Sequence, residues 1–207
     1  MQSEPVKARG MVVVMSGPSG AGKGTLSRAL LRAFPRMRFS VSATTRPPRP
    51  HEEPGRDYIF LSEDAFHRMQ GEDAFLEWAE VYGNLYGTPR SEVDRLLEEG
   101  YDVLLDIDTN GAMQVRSRCP QAVLVFVVAP SMEELKRRLR GRGTESTASL
   151  KRRLAEARLH MALIGHYDYV VVNDGLDEAF QRLSAIITAE RCRVSRQDPE
   201  SLMRLSR

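Results

Sequence analysis

The ten residues Gly17–Leu26, GPSGAGKGTL, set four glycines around a single lysine, a spacing suited to holding phosphate. Gly17, Gly20 and Gly22 let the backbone curl with its N–H groups inward, and a following helix adds its positive N-terminal end. Lys23 then brings a point charge to the outer phosphates. Gly24 stands where such loops usually carry the Ser or Thr that holds magnesium, and Thr25 offers a hydroxyl one step later. A companion carboxylate comes from YDVLLDIDTNGA, where the apolar run from Tyr101 ends in Asp106. An acid at a strand's C-terminal edge beside a phosphate loop is placed to hold magnesium or its waters. Asp108 has a structural alternative, as the N-cap of a helix over TNGAMQVRSR.

These groups need a scaffold, and the apolar runs supply one. MVVVM from Met11 feeds into Gly17, and TLSRALLRAF after Thr25 has helix-forming texture, so the loop joins a strand to a helix. YDVLLD, AVLVFVV from Ala122 and YVVV from Tyr169 also lack strict alternation, as strands buried on both faces do. Helical patterns separate them, which predicts an α/β fold with a parallel sheet covered by helices. Ser131 with Glu134 reads as a capping box, and Thr88 followed by Pro89 reads as an N-cap with proline in the first helical position.

Two segments break the strand–helix rhythm. Between Val41 and Glu99 the proline-rich TTRPPRPHEEPGRDY and the glycine-punctuated EVYGNLYGTP predict loops and short strands. From Lys136 to Arg158 nine Lys or Arg residues are interrupted by GRGTES, which predicts helix, turn, helix. The chain is thus expected to be one domain over 1–207: a core at 10–40, 100–135 and 159–193, an insert at 41–99 and a second insert at 136–158.

Bulk properties exclude several classes. With 207 residues, 42% hydrophobic and 28% charged, the chain can bury a core without staples. A net charge of +2 and a basic run without interleaved aromatics give no nucleic-acid signature. The apolar runs are too short to span a bilayer. Two cysteines without CxxC spacing and a start without an apolar leader fit the reducing cytoplasm. Four scattered histidines give no metal-ligand spacing.

Taken in order, GPSGAGKGT, FSVSATTRPPRPHE, GRDYIFLS, FLEWAEVYGNLYGTP, LLDIDTNGA, LKRRLRGRGTES and VVND resemble the guanylate kinase family over about Gly10 to Glu190. That resemblance implies a P-loop core, a GMP-binding insert, a lid at 136–158, and magnesium-dependent transfer of the γ-phosphate of ATP to GMP, with dGMP as a second acceptor. ATP would be bound by Gly17, Pro18, Ser19, Gly20, Ala21, Gly22, Lys23, Gly24 and Thr25, with Asn173 near the adenine. Ser42, Arg46, Arg49, Tyr58, Glu77, Tyr86, Thr88 and Asp108 match the GMP site. Lys23, Arg46, Arg138, Arg142 and Arg153 match catalytic positions, and Thr25 and Asp106 would serve magnesium through water. Guanine's N1–H and N2 amino donors call for carboxylates and its O6 for a hydroxyl. Two rivals share parts of the pattern: a non-catalytic guanylate-kinase-like interaction module, and a ribose bisphosphate kinase. The intact loop with Lys23 speaks against the first; Glu77 and Thr88 in the FLEWAEVYGNLYGTP run speak against the second.

Overall fold

Both faces of the central sheet are covered by helices, and the strand sequences explain how. In the computed structural model, which describes residues 10–141, 147–197 and 203, five parallel strands lie in the order β2-β7-β1-β8-β9. They are β1 (Val12–Ser16), β2 (Met37–Phe39), β7 (Asp102–Asp106), β8 (Val123–Val128) and β9 (Tyr169–Val172). Successive side chains of a strand point to opposite faces. Val13 and Met15 therefore enter one core with Leu26 and Leu30 of α1 (Lys23–Ala33) and Leu183 and Ile187 of α7 (Leu176–Arg191). Val12 and Val14 enter the other core with Val93 and Leu97 of α3 (Arg90–Glu98) and Val115 of α4 (Thr109–Arg118). Each such side chain contributes about 1.5–3 kcal/mol when fully buried, and Leu30→Ala would cost about 2–5 kcal/mol.

The expected parallel sheet is present, with one strand the apolar runs did not announce. β2 is three residues long, and only Met37 of it is buried. It sits at the edge of the sheet beside β7.

The segment after β2 folds as a second sheet in the order β4-β3-β6-β5, made of β3 (Ala43–Thr44), β4 (Ile59–Phe60), β5 (Phe75–Val81) and β6 (Asn84–Pro89). Helix α2 (Glu63–Gly71) covers it, started by Ser62, whose hydroxyl accepts from the Ala65 N–H. Phe66 of α2 stacks on Phe75 of β5 at 4.4 Å between ring centres, and both are fully buried. The β5–β6 hairpin turns through Tyr82 and Gly83, both at positive φ, as two-residue hairpin turns require.

Local details differ from the sequence expectation. Thr88 belongs to β6 and caps nothing; Pro89 holds the N-cap position of α3, which begins at Arg90. α3 itself packs on the central sheet, so the second sheet ends at Pro89, ten residues before the expected boundary at 99. Helix α5 (Met132–Arg140) is capped by Ser131, but the Glu134 carboxylate turns to Arg137 and Arg138 and does not close the box. Helix α6 (Thr147–Met161) follows, and α5 and α6 share a small core of Leu135, Leu139, Leu150 and Ala157. No helix among the described residues is long and apolar enough to cross a membrane.

Candidate active site

The glycine loop leaves β1, the middle strand of the five, and ends in α1. Its glycines meet structural demands. Gly17, Gly20 and Gly22 all take positive φ, and a Cβ on Gly17 would stand 2.1 Å from the Val127 carbonyl oxygen. Lys23 reaches back over the loop and donates to the Gly17 and Pro18 carbonyls at 2.6 and 3.3 Å.

Asn173, after β9, does not face outward. It is buried, and its amide donates to the Ala21 carbonyl at 2.8 Å, so it braces the loop from behind. The Asn173 carbonyl accepts in turn from Arg138 Nη2 at 2.9 Å, while Arg138 Nε donates to Glu134 at 2.7 Å. That pairing with Arg137 and Arg138 holds the Glu134 carboxyl at about 2, well below its usual range. Arg153 of α6 reaches the loop itself, with Nη1 donating to Ser19 Oγ at 3.0 Å. Arg142 lies outside the described residues.

Asp106 ends β7 beside the loop. Its carboxylate accepts from Ser27 Oγ at 3.2 Å and lies 3.9 Å from where a Cβ on Gly24 would stand. The residue keeps access to solvent but sits in a recess, and the desolvation raises its pKa, opposed by the charge of Lys23, the Ser27 hydrogen bond and the charge of Arg28. Thr25 is exposed one residue beyond Gly24. Among the described residues no three His, Cys, Asp or Glu side chains gather as a metal site. One carboxylate beside the loop and a hydroxyl at the start of α1 suit a hydrated magnesium carried by a nucleotide, since that ion keeps several waters.

The second sheet carries another polar cluster. Glu77, only 8% exposed, accepts from the Thr88 hydroxyl at 2.5 Å across the β5–β6 pair. Burial pushes its pKa up; the Thr88 hydrogen bond opposes this and the nearby Asp108 charge adds to it. Asp108 does cap α4, accepting from the Gly111 N–H at 2.8 Å. A Cβ on Gly111 would stand 2.9 Å from Glu77 Oε2 and 3.5 Å from Asp108 Oδ1. The two carboxylates therefore meet over one glycine, and capping leaves Asp108 exposed on its other side.

Arg46, after β3, is held in place by its surroundings. Its guanidinium makes a two-pronged pair with Glu52 at 2.8 and 2.9 Å, donates from Nε to the Tyr86 hydroxyl at 3.3 Å and lies 5.2 Å from the Tyr58 ring centre. Tyr58 and Tyr86 meet edge to face at 6.1 Å. Arg49 is exposed, and its backbone N–H also donates to Glu52 at 2.8 Å. Ser42 is half-buried just before β3, its carbonyl accepting from Ile59.

The chain as a whole matches the guanylate kinase family model, described as "Guanylate kinase", over residues 9–190. It belongs to the guanylate kinase family. Guanylate kinase of Caldanaerobacter subterraneus is 49% identical over 92% of this chain and 93% of its own length. That of Symbiobacterium thermophilum is 53% identical over 93% and 91%. The crystal structure of guanylate kinase from Anaplasma phagocytophilum superposes with a TM-score of 0.71 at 33% identity, covering 95% of this chain and 94% of that one.

Within this guanylate kinase fold, two side chains that were not read as candidates hold candidate site residues. Glu52 fixes Arg46, and Ser27 fixes Asp106. A proline-stiffened loop with an acid six residues after Arg46 is the only trace Glu52 leaves in the sequence. A separate cavity of about 550 Å³ opens between the starts of β1 and β8 and helices α3 and α4, lined among others by Met11, Cys119, Arg116 and Arg196. It contains none of the groups above. Its arginines are already paired, Arg116 with Asp168 and Arg196 with Glu190.

Proposed function

We propose that the chain transfers the γ-phosphate of ATP to GMP, and to dGMP, giving ADP and GDP, a recycling step of purine nucleotide metabolism. The meeting of Glu77 and Asp108 over Gly111, beside the Thr88 hydroxyl, carries this reading. Two carboxylates accept from guanine N1–H and the N2 amino group, while Thr88 and Ser42 serve as hydroxyls. Adenine has no N2 amino group and reverses the pattern at position 6. It would leave these partners unpaired, a mismatch on the order of 10⁴ in specificity.

On the phosphate side, Arg46 and Arg49 with the Tyr58 and Tyr86 hydroxyls hold the GMP phosphate for in-line attack. No strong base is needed, because the nucleophile is already a phosphate oxygen. Gly17 to Thr25 cradle the ATP phosphates with backbone N–H groups, and Lys23 turns its ammonium from the loop carbonyls to them. Arg138 and Arg153, together with Arg142, bring positive charge to the transferred group as the lid of 136–158 closes and excludes water. Asp106 and Thr25 would hold magnesium through its waters. The ion, when bound with ATP, would supply positive charge against the phosphates.

The test is ADP release with magnesium-ATP and a panel of GMP, dGMP, AMP, UMP and ribose 1,5-bisphosphate. Turnover confined to GMP and dGMP is expected. Turnover of the sugar bisphosphate would move the chain to the ribose bisphosphate kinases, and none at all would favour an interaction module.

A further inference from the structure

β5 is an edge strand of the second sheet, and the edge that β6 leaves open is taken up by side chains of α4. The Gln114 carboxamide does there what a neighbouring strand would do. Its Oε1 accepts from the Trp78 N–H at 3.2 Å and its Nε2 donates to the Trp78 carbonyl at 2.9 Å. Arg118 continues the seam one turn on, donating from Nη1 to the Leu76 carbonyl at 3.2 Å and to Gln114 Oε1 at 2.9 Å. Its Nε pairs with Asp73 at 3.2 Å. Gly111, Gln114 and Arg118 are spaced three and four apart and so share one face of α4.

Glu77 lies between the two tethered residues, Leu76 and Trp78, and its carboxylate passes over Gly111. Asp108 belongs to the same helix as its N-cap. The two acids are thus mounted on different bodies, one on the second sheet and one on the core, and their separation is set across this seam. The two Gln114 bonds to Trp78 lie on the exposed side of the seam, and Trp78 is 37% exposed. Water can replace those bonds with little loss of stability, but water does not hold β5 at a fixed distance from α4.

We propose that Gln114, braced by Arg118, is a positioning residue for base specificity: it sets the spacing of Glu77 and Asp108 and with it the preference for guanine over purines lacking its donors. This rests on the reading of Glu77 and Asp108 as acceptors from guanine. A displacement of the order of an ångström at the reacting or recognising groups is enough to matter.

The experiment compares kcat/KM for GMP, IMP and AMP, KM for ATP and Tm in the full chain. Gln114→Met keeps the volume and removes all three bonds. It is expected to narrow the GMP-to-IMP ratio by about tenfold, the net worth of about one hydrogen bond, with KM for ATP within about twofold of the unsubstituted chain. Gln114→Glu keeps the acceptor toward Trp78 and Arg118 but sets a carboxylate oxygen against the Trp78 carbonyl, so a narrowing of about threefold or more is expected. An unchanged ratio in Gln114→Met overturns the proposal; if that variant does not fold, an unchanged ratio in Gln114→Glu does so. Glu77→Gln is measured alongside. If it collapses the ratio while both Gln114 variants keep it, the seam has no such role; if it also keeps the ratio, the reading of the guanine pocket itself falls.

Discussion

Asn173 and Gly22 compete for one space: a Cβ added to Gly22 would stand 2.2 Å from the Asn173 side-chain nitrogen. That nitrogen is occupied by the Ala21 carbonyl, so the far end of the sheet and the glycine loop are joined by a buried hydrogen bond. Arg138 rests on the same residue through the Asn173 carbonyl. The loop and an arginine of helix α5 therefore share one support.

Asn173→Ala leaves the Ala21 carbonyl without its partner and should raise KM for ATP by about tenfold, in keeping with a penalty of about 1–3 kcal/mol for a buried unpaired group. KM for GMP should stay within about twofold. Gly22→Ala adds a forbidden φ to the clash and should be the more damaging of the two. Steady-state kinetics with each substrate varied in turn checks both. Equal effects on ATP and GMP would contradict the assignment.

Glu77 should set an acid limb on GMP use. Its pKa is raised by burial, so it takes up a proton above the ordinary value of 4.5, and a protonated acid is a poorer acceptor for guanine donors. The kcat/KM for GMP should fall on the acid side at a higher pH than an ordinary carboxylate allows, with no such change in KM for ATP. The same shift has an opposite sign for stability. A carboxyl whose folded pKa is raised favours the folded state most below its unfolded pKa, and loses that contribution as pH rises through the folded value. Glu77→Gln should therefore raise Tm near neutral pH, by about 2–4 °C for each kcal/mol recovered, while weakening GMP. The gain should vanish near pH 4, and thermal melts across pH read it directly.

Glu52→Gln should raise KM for GMP by about tenfold and leave KM for ATP alone, because an amide cannot accept both guanidinium bonds and loosens Arg46. Glu52 titrates at about 2, lowered by its hydrogen bonds from Arg46 and from the Arg49 backbone. The pair stays charged throughout the working range, so the acid limb above should persist in this variant. A pH profile of GMP use separates the two carboxylates.

Arg138→Ala should reduce kcat by about 10²-fold, the scale of removing one donor to developing charge. KM for GMP should change little. A drop in kcat/KM for GMP caused by KM alone would place Arg138 outside the transferring machinery.

Much of this was written in the sequence, for identifiable reasons. Strands buried on both faces spell themselves as unbroken apolar runs, so β1, β7, β8 and β9 were readable, and the glycine loop was readable because its φ values leave few other residues. β2 was not, since two of its three residues face solvent. α2 was legible in principle through Ser62 and the acids after it, but the surrounding prolines and glycines masked the signal. Residues that act on other side chains leave no periodicity. Glu52, Ser27 and Gln114 become visible only when the fold brings their partners beside them. Asn173 was expected beside a base, and its amide braces a loop carbonyl. Asp108 was read both as a cap and as a site acid; the cap is present, and its capping oxygen lies over the same glycine as the Glu77 carboxylate.

Gly24 looks at first like a missing metal ligand. Ser27, three residues further along α1, is fully buried and gives its hydroxyl to Asp106. The helix thus keeps a hydroxyl in this corner but one turn lower, where it steadies the acid. If the acid meets magnesium only through water, as proposed, the ion would arrive and depart with its nucleotide. ATP and its metal would then behave as one substrate, and the concentration that matters for turnover would be that of their complex.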